Sequence, residues 1–192
     1  LETFTYSVSH DLKAPLRGID GYSRLLSEEY ADRLDEEGQT FLTNVRQSTE
    51  QMNQLIEDLL AYSRMERRGI HKTSIDLKAL LSLLTSERQH DIESSQIQLD
   101  INLPFGSIEA DPDTMRQILG NYLDNAIKFS QNQDQPRVEI GGSEDDHTRT
   151  LWVKDNGIGF ESKYHDRIFQ IFQRLHRVED YAGTGVGLAI VR

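Results

Sequence analysis

The stretch Ser9-His10-Asp11-Leu12-Lys13-Ala14-Pro15-Leu16 places one histidine, followed at once by a carboxylate, in a helical pattern. A neutral imidazole is a nucleophile near pH 7, and an adjacent carboxylate can fix its tautomer and take up a proton. Pro15 removes an amide that would bond one turn back, so a bend is expected just after His10. An apolar stripe at helical spacing can face a partner helix: Leu12, Leu16, Ile19 and Leu26. The stretch indicates either a reactive histidine or an ordinary surface histidine on a helical bundle.

Two helices are predicted around this stretch. The first helical pattern already runs at Leu1 without a cap, which favours a fragment of a longer protein, and it fades near Tyr30. A heptad seam marks the second helix, with Phe41, Val45, Ser48, Met52, Leu55, Leu59 and Tyr62. A short connection makes the pair an antiparallel hairpin, and a hairpin alone cannot enclose its apolar stripe. We therefore expect two copies to form a four-helix bundle, unless the hairpin packs on the second domain of its own chain.

The composition is that of an ordinary globular protein. The 192 residues are enough for one large or two small domains, and 36% are hydrophobic and 28% charged. No apolar run is long enough for a membrane span, and no signal peptide opens the chain. The absence of cysteine excludes a disulfide scaffold and thiolate metal sites. These features predict a cytoplasmic fragment without direct membrane contact.

The acidic balance of the chain limits its partners. The net charge is −11, and residues 1–67 account for −6 of it, so the charge is not confined to one tail. Such a surface repels nucleic acid and anionic lipid. A ligand that carries phosphate would need local amides, a metal ion or a few well-placed bases. The five histidines other than His10 show no metal-ligand spacing and are expected to be surface residues.

The part of the chain that follows Glu66-Arg67-Arg68-Gly69 is predicted to be a separate α/β domain, because its apolar period alternates between helix and strand. Asp76 and Asp111 are candidate helix caps, the latter followed by a proline at the first helical position. The expected elements are a helix with Leu77–Leu84, a strand over Ile97–Ile101, a helix from Pro112 to about Phe129, strands at Val138–Gly141 and Leu151–Val153, a loop over Glu161–Ala182 with one helical turn around Ile168–Phe172, and a helix that opens at Gly183.

One helix face in this second part carries polar groups that suit a phosphate ligand. Asn121, Asn125 and Lys128 fall at steps of four and three and therefore share a face. Two amide oxygens and an ammonium suit a magnesium ion that bridges phosphate oxygens, because magnesium takes oxygen ligands and keeps several waters. Taken alone, the same residues also fit a solvated helix face.

Two glycine-rich stretches follow this helix. Asp155-Asn156-Gly157-Ile158-Gly159 comes directly after a predicted strand, where a carboxylate can accept from an exocyclic amine, although Asn-Gly also favours a plain turn. Gly183-Thr184-Gly185-Val186-Gly187-Leu188 presents free amides at a helix entry. The spacing is not the dinucleotide fingerprint, and no P-loop lysine motif occurs anywhere in the chain.

Taken in chain order, these sequence motifs, which we call boxes, resemble those of the sensor histidine kinases of two-component systems. The resemblance covers nearly the whole chain. The SHDLKAPLR version of the first box is similar to kinases attached to phytochromes and related sensors. The resemblance implies a dimerisation and histidine-phosphotransfer hairpin (1–67), followed by an α/β sandwich of the Bergerat ATP-binding type (70–192). The closing helix and strands of that sandwich would follow Arg192, so we expect a C-terminally incomplete domain.

The resemblance also implies a role for each box. His10 would accept the γ-phosphoryl group of ATP, with Asp11 as its base or orienting group. Asn125 would hold Mg²⁺ with Asn121 assisting, and Lys128 would lie near phosphate. The phosphoryl group would then pass to an aspartate of a response-regulator receiver domain.

The remaining boxes would shape the nucleotide pocket. Asp155 would bind the adenine amine, and residues 161–182 would form a mobile lid packed by Phe169 and Phe172. Further nucleotide contacts are implied for Phe129, Gly157, Gly159, Gly183, Thr184, Gly185, Gly187 and Leu188.

At two positions the chain differs from related proteins, and each difference makes the expected activity more specific. Related ATPases carry a water-activating glutamate where this chain has Asn121, so we expect slow ATP hydrolysis and delivery of phosphate to His10 instead. Many family members that dephosphorylate their regulator have Thr or Asn where this chain has Ala14, which predicts weak or absent phosphatase activity. The rival interpretations are an ATP-driven clamp or hydrolase on the same nucleotide fold and a non-catalytic dimeric scaffold.

Overall fold

The structure, a computed structural model, describes the backbone of residues 2–65, 69–175, 181 and 183–191. It describes the side chains of the same residues apart from 2–10 and 62–65. The chain divides into two compact units. The first comprises Leu1–Arg68 with Ala182–Val186, and the second comprises Gly69–Tyr181 with Gly187–Arg192. The predicted break at residues 66–68 lies outside the described residues.

The first unit contains the predicted helical hairpin. Helix α1 (Glu2–Glu29) continues through Pro15, a 3₁₀ turn spans Ala31–Arg33, and helix α2 spans Glu36–Met65. Leu16 of α1 packs with Ile56 and Leu60 of α2 in a small buried cluster. A lysine on α1, Lys13, also pairs with Glu57 of α2.

The apolar residues of the hairpin form two sets, one buried between the helices and one exposed. Within the chain, α2 buries Thr49, Ile56 and Leu60, which lie beside the predicted heptad seam and not in it. The seam itself keeps its first members exposed, and the stripe on α1 buries only Leu16. We call the exposed set the outer apolar residues: Leu12, Ile19, Leu26, Phe41, Val45 and Met52. One stripe of each helix therefore closes the hairpin, and a second apolar stripe is left without cover in the described chain.

The second unit contains two sheets and four helices among its described residues. Its elements are β1 (Thr73–Asp76), α3 (Leu77–Glu87), α4 (Gln89–Ser94), β2 (Gln98–Asn102), β3 (Ser107–Ala110), α5 (Pro112–Ser130), β4 (Arg137–Glu144), β5 (Arg149–Asp155) and α6 (Gly187–Val191). β1 pairs with β3 in antiparallel register. β4 is the central strand of the other sheet, parallel to β2 and antiparallel to β5.

A buried core joins α3 and α5 of this unit to the three-stranded sheet. Leu81 and Leu84 of α3, Leu123 of α5, and Val138 and Ile140 of β4 are buried together. The outer strand β2 buries less than its alternating pattern indicates, because Ile101 near its end is 46% exposed. The layer arrangement is the predicted α/β sandwich that follows a helical hairpin.

Both predicted caps are confirmed. Asp76 accepts a hydrogen bond from the Ala79 amide at 3.0 Å, and Asp111 accepts one from the Thr114 amide at 3.0 Å. Asp111 also accepts from the His71 amide at 3.1 Å, which ties the start of the unit to the start of α5.

Two local predictions are wrong in their position. The helical turn in the long loop is a 3₁₀ turn at Ser162–Tyr164, whereas residues 168–172 form turns that end at Phe172, with φ of 64°. The last helix begins at Gly187 and not at Gly183, because Gly183 and Gly185 have positive φ values of 149° and 73°. Such values are open to glycine but lie outside the helical region. None of the helices in the described ranges has the length and apolar content that a bilayer crossing requires.

Candidate functional site

Helix α5 presents the predicted polar face. Leu123, Ala126 and Ile127 are buried against the sheet and α3, whereas Asn121 and Asn125 are half-buried on another side of the helix. Lys128, the third member of the predicted face, is half-buried as well. The burial pattern follows the helical period, as the sequence predicted.

Asn121 is the most confined polar group of this face. Its side-chain nitrogen Nδ2 is buried and has no hydrogen-bond partner within the described part of the chain. Helix α6 packs beside it, since a Cβ added at Gly187 would lie 3.3 Å from Asn121 Oδ1. A buried donor without a partner costs about 1–3 kcal/mol, so a ligand acceptor here would recover stability.

The turn after β5 is fixed against the end of α5. Asp155, the last residue of β5, accepts a hydrogen bond from the Gly157 amide at 2.9 Å, and its side chain is exposed. The next amide, of Ile158, donates to the Phe129 carbonyl at 3.3 Å. A Cβ at Gly157 would lie 2.5 Å from that carbonyl oxygen, so only glycine allows this approach.

The strand side of the same turn is held by Asn156. Its Oδ1 accepts from the Arg137 amide at 2.8 Å, and its Nδ2 donates to the Gln135 carbonyl at 2.7 Å. Gly159, two residues on, has φ of 59°, which favours glycine. The structure therefore joins the Asp155–Gly159 turn to the C-terminal end of α5 in one corner of the unit.

Lys128 lies in a partly desolvated, aromatic setting at this corner. Its Nζ is 4.3 Å from the centroid of the Phe129 ring, which in turn lies 5.1 Å from the Tyr181 ring. Burial, together with the charge of Arg174, lowers the pKa of Lys128, and the charge of Asp124 acts in the opposite direction. Among the described residues, the charges that act on Lys128 are thus those of Arg174 and Asp124.

A loop residue that the sequence did not single out, Tyr181, packs near Lys128 through the Phe129 ring. Phe169 stacks edge-on with His165, at 5.8 Å between centroids, and Phe172 is 52% exposed. Tyr181 is the ring that packs on Phe129, and its carbonyl accepts from Arg174 Nη2 at 2.5 Å. Sequence reasoning missed Arg174 and Tyr181, because a loop without periodicity gives no signal for which residue packs.

The remaining predicted site residues lie in the glycine-rich stretch and on α1, and the side chain of one of them is not among the described residues. Gly183, Thr184 and Gly185 cluster with the first unit, where the Thr184 hydroxyl donates to the Asp58 carboxylate. Gly187 and Leu188 belong to the second unit and are half-buried. The backbone of His10 is helical within α1, its side chain lies outside the described residues, and Asp11 is exposed.

No group of three or more His, Asp or Glu residues that could hold a metal occurs among the residues that the structure describes. The amide oxygens of Asn121 and Asn125 remain the candidate ligands. Such a donor set is too small to form a cage by itself, but it fits Mg²⁺, which usually keeps several waters and shares substrate phosphates.

Two family models match the chain. The His Kinase A (phospho-acceptor) domain matches residues 1–68, and the histidine kinase-, DNA gyrase B- and HSP90-like ATPase matches residues 110–192. The match to the first model includes His10, and the match to the second includes α5, the Asp155–Gly159 turn and the glycine-rich stretch.

Individual relatives cover both matched regions. Phytochrome-like protein Cph1 of Synechocystis is 33% identical over 192 residues, which is 100% of this chain and 25% of that protein. Sensor protein kinase WalK of Staphylococcus aureus is 32% identical over 191 residues, which is 97% of this chain and 46% of that protein. The chain thus spans about a quarter to a half of the length of these curated relatives. Among solved structures, the crystal structure of full-length ShkA in complex with AMPPNP matches with a TM-score of 0.73 and 27% sequence identity. The match covers 100% of this chain and 40% of the ShkA chain.

Proposed function

Since the chain belongs to the sensor histidine kinases of two-component systems, we propose that it transfers the γ-phosphoryl group of ATP to His10 and then to a response-regulator aspartate. The observation that carries the proposal is the order of two domain matches, a phospho-acceptor domain that contains His10 and then an ATPase domain. We assign residues 1–67 to phosphotransfer and dimerisation and residues 70–192 to ATP binding.

The described corner of the second unit supports nucleotide binding. Asp155 ends a strand with an exposed carboxylate that is oriented by the Gly157 amide, which suits an exocyclic adenine amine. Lys128, on the adjoining end of α5, supplies an ammonium for phosphate. The buried amide of Asn121 lacks a partner within the described residues, as a ligand-binding group would before the ligand arrives. Phe129, Gly157, Gly159, Gly187 and Leu188, which belong to the same unit, are proposed to contribute to this nucleotide site.

Asn125 and Asn121 would hold Mg²⁺, which supplies charge neutralisation to the phosphate oxygens when bound. Phosphoryl transfer depends on positioning and charge neutralisation more than on covalent help from the protein. The chain's own residues meet these needs with Lys128, backbone amides and the fixed turn. His10 then acts as the nucleophile, and Asp11 orients its imidazole or takes up its proton.

The proposal is tested by incubation of the chain with Mg²⁺ and ATP labelled at the γ-phosphate. We expect label on the protein that survives alkali and is lost in acid, because a phosphoramidate is acid-labile. ATP labelled at the α-phosphate is the matched control and should leave the protein unlabelled. Free phosphate without labelled protein would identify a hydrolase, and no turnover of any kind would identify a scaffold, so either result contradicts the proposal.

The outer apolar residues support the proposal that the hairpin forms a homodimer. They lie on both helices and are exposed although they are large and apolar. A contiguous exposed apolar surface is typical of an interface. A second copy of the same hairpin presents the same heptad spacing, so paired hairpins would bury both stripes as a four-helix bundle.

Phosphatase activity toward the phosphorylated regulator is expected to be weak because of Ala14. This residue is exposed and follows His10 by four positions on α1, so the two share a helix face. A methyl group cannot position a water for attack. Ala14→Thr should therefore raise the rate of regulator dephosphorylation by about tenfold or more.

The matched control for this change is Ala14→Val, which has the shape of threonine without its hydroxyl. It should leave dephosphorylation at the wild-type rate, as measured by loss of label from a pre-phosphorylated receiver domain. Equal dephosphorylation by the wild type and the threonine variant would contradict the role given to this position.

A further inference from the structure

Arg88, the residue that follows α3, holds the carboxylate of Asp124 on α5 with two arms of its guanidinium. Nε donates to Oδ1 at 2.5 Å, and Nη2 donates to Oδ2 at 3.0 Å. The remaining nitrogen, Nη1, donates to the Leu84 carbonyl at 3.0 Å, so the last turn of α3 also anchors the arginine. The side chain of Arg88 is 16% exposed and that of Asp124 is 58% exposed. A bidentate fork of this kind fixes both the position and the direction of a carboxylate.

Helix α5 leaves room for this guanidinium because it has a glycine at the point of contact. Gly120 lies one turn before Asp124, and a Cβ added there would lie 3.2 Å from Arg88 Nη2. Glu87 contributes a second link between the helices, because it pairs with Arg116 of α5 and lies 3.5 Å from Arg88 Nη1. The fork is thus one part of a network that joins the end of α3 to α5.

The direction in which Asp124 is held has a consequence for Lys128. The two residues are four positions apart on α5, the spacing at which an acid and a base on a helix attract each other. Within the described part of the chain, the charged groups that act on Lys128 are Arg174, which disfavours its protonation, and Asp124, which favours it. The Phe129 ring lies against its ammonium. A carboxylate released from Arg88 is therefore a direct competitor for the ammonium.

We propose that Arg88 is a positioning residue that engages the Asp124 carboxylate and so limits its ion pairing with Lys128, which keeps the Lys128 ammonium available to the phosphates of the nucleotide. This inference rests on the proposed role of Lys128 in binding ATP. Arg88 itself touches neither the nucleotide nor the phosphate in this scheme. Its effect passes through the charge of Asp124, which makes the scheme separable from a purely structural link between α3 and α5.

A double-substitution experiment on the full chain distinguishes an effect through the Asp124 charge from a purely structural link between α3 and α5. Arg88→Gln removes the fork and frees the carboxylate, so the affinity for Mg²⁺–ATP should fall about tenfold, the effect of losing one charge-assisted hydrogen bond. Asp124→Asn in the same chain removes the competing charge and should restore the affinity. Asp124→Asn alone should bind as the wild type does, and Arg88→Lys, which keeps the charge with a narrower donor, should lie between the wild type and Arg88→Gln.

The pKa of Lys128, measured by NMR of lysine-labelled protein without nucleotide, provides an independent readout. The pKa of Lys128 should rise in Arg88→Gln and fall again in the double variant, because the double variant lacks the Asp124 charge that favours protonation of Lys128. The proposal is overturned if the double variant binds ATP as weakly as Arg88→Gln, or if the pKa of Lys128 is the same in Arg88→Gln and the wild type. A wild-type chain that binds no ATP would refute the proposed function instead, and the pKa series does not depend on that result.

Discussion

A chain with His10→Gln is expected to bind ATP as the wild type does and to acquire no acid-labile phosphate. Glutamine keeps a polar side chain of similar length but has no nitrogen with the nucleophilicity of an imidazole. It is also a good helix former, so α1 should be retained. Labelled protein should fall to background in a time course with γ-labelled ATP.

The matched control for this prediction is His90→Gln, the same chemical change at an exposed histidine of α4. It should label at the wild-type rate. The release of free phosphate gives a second readout, because the chain has Asn121 where related ATPases carry the glutamate that activates water. Phosphate release should therefore not rise in His10→Gln to replace the lost transfer, and undiminished acid-labile labelling of this variant would remove His10 from the mechanism.

Local chemistry accounts for the elements that the sequence predicted well. Asp76 and Asp111 each cap a helix through an amide three residues away, so the signal and the contact lie in the same few residues. The helical period of α5 similarly predicted that Asn121, Asn125 and Lys128 share one face, and all three are half-buried. Fold class follows from such signals because each element must bury one face.

The strands β1 and β3 show where local signals fail. Each has four residues, and β1 buries only Ile75. Their pairing joins Ile75 to Ile108, which are far apart in the chain, and no alternation in so short a segment specifies a distant partner. The hairpin presents a related difficulty, because the spacing of Leu12, Leu16 and Ile19 does not reveal that Leu16 alone turns inward.

The candidate site was predictable in its residue types and not in its contacts. The boxes gave Asp155, Gly157 and the polar face of α5, yet the approach of Gly157 to the Phe129 carbonyl depends on how β5 lies beside α5. The fork between Arg88 and Asp124 likewise spans two helices, and neither residue carries a motif. Side-chain chemistry can be assigned along the chain, whereas such long-range approaches exist only once the sheet and helices have packed.

Gly157→Ala is expected to lower ATP affinity by roughly a hundredfold, which corresponds to about 2.8 kcal/mol of strain and lost hydrogen bonding. The added Cβ would lie 2.5 Å from the Phe129 carbonyl oxygen and 2.7 Å from Asp155 Oδ1. The first of these is backbone at the end of α5 and cannot rotate away. The turn must therefore move, and the hydrogen bonds from the Gly157 and Ile158 amides are lost with it.

Gly106→Ala provides the control for the loss of glycine as such, because a Cβ at Gly106 meets nothing within 4 Å. It should bind ATP normally, as measured by calorimetric titration of both variants beside the wild type. Since the Asp155 carboxylate is oriented by the Gly157 amide, we expect the adenine contact to fail first in Gly157→Ala. Affinity for ATP should consequently drop more than affinity for inorganic triphosphate, which does not use Asp155. An alanine variant that binds ATP as the wild type does would show that this corner does not hold the base.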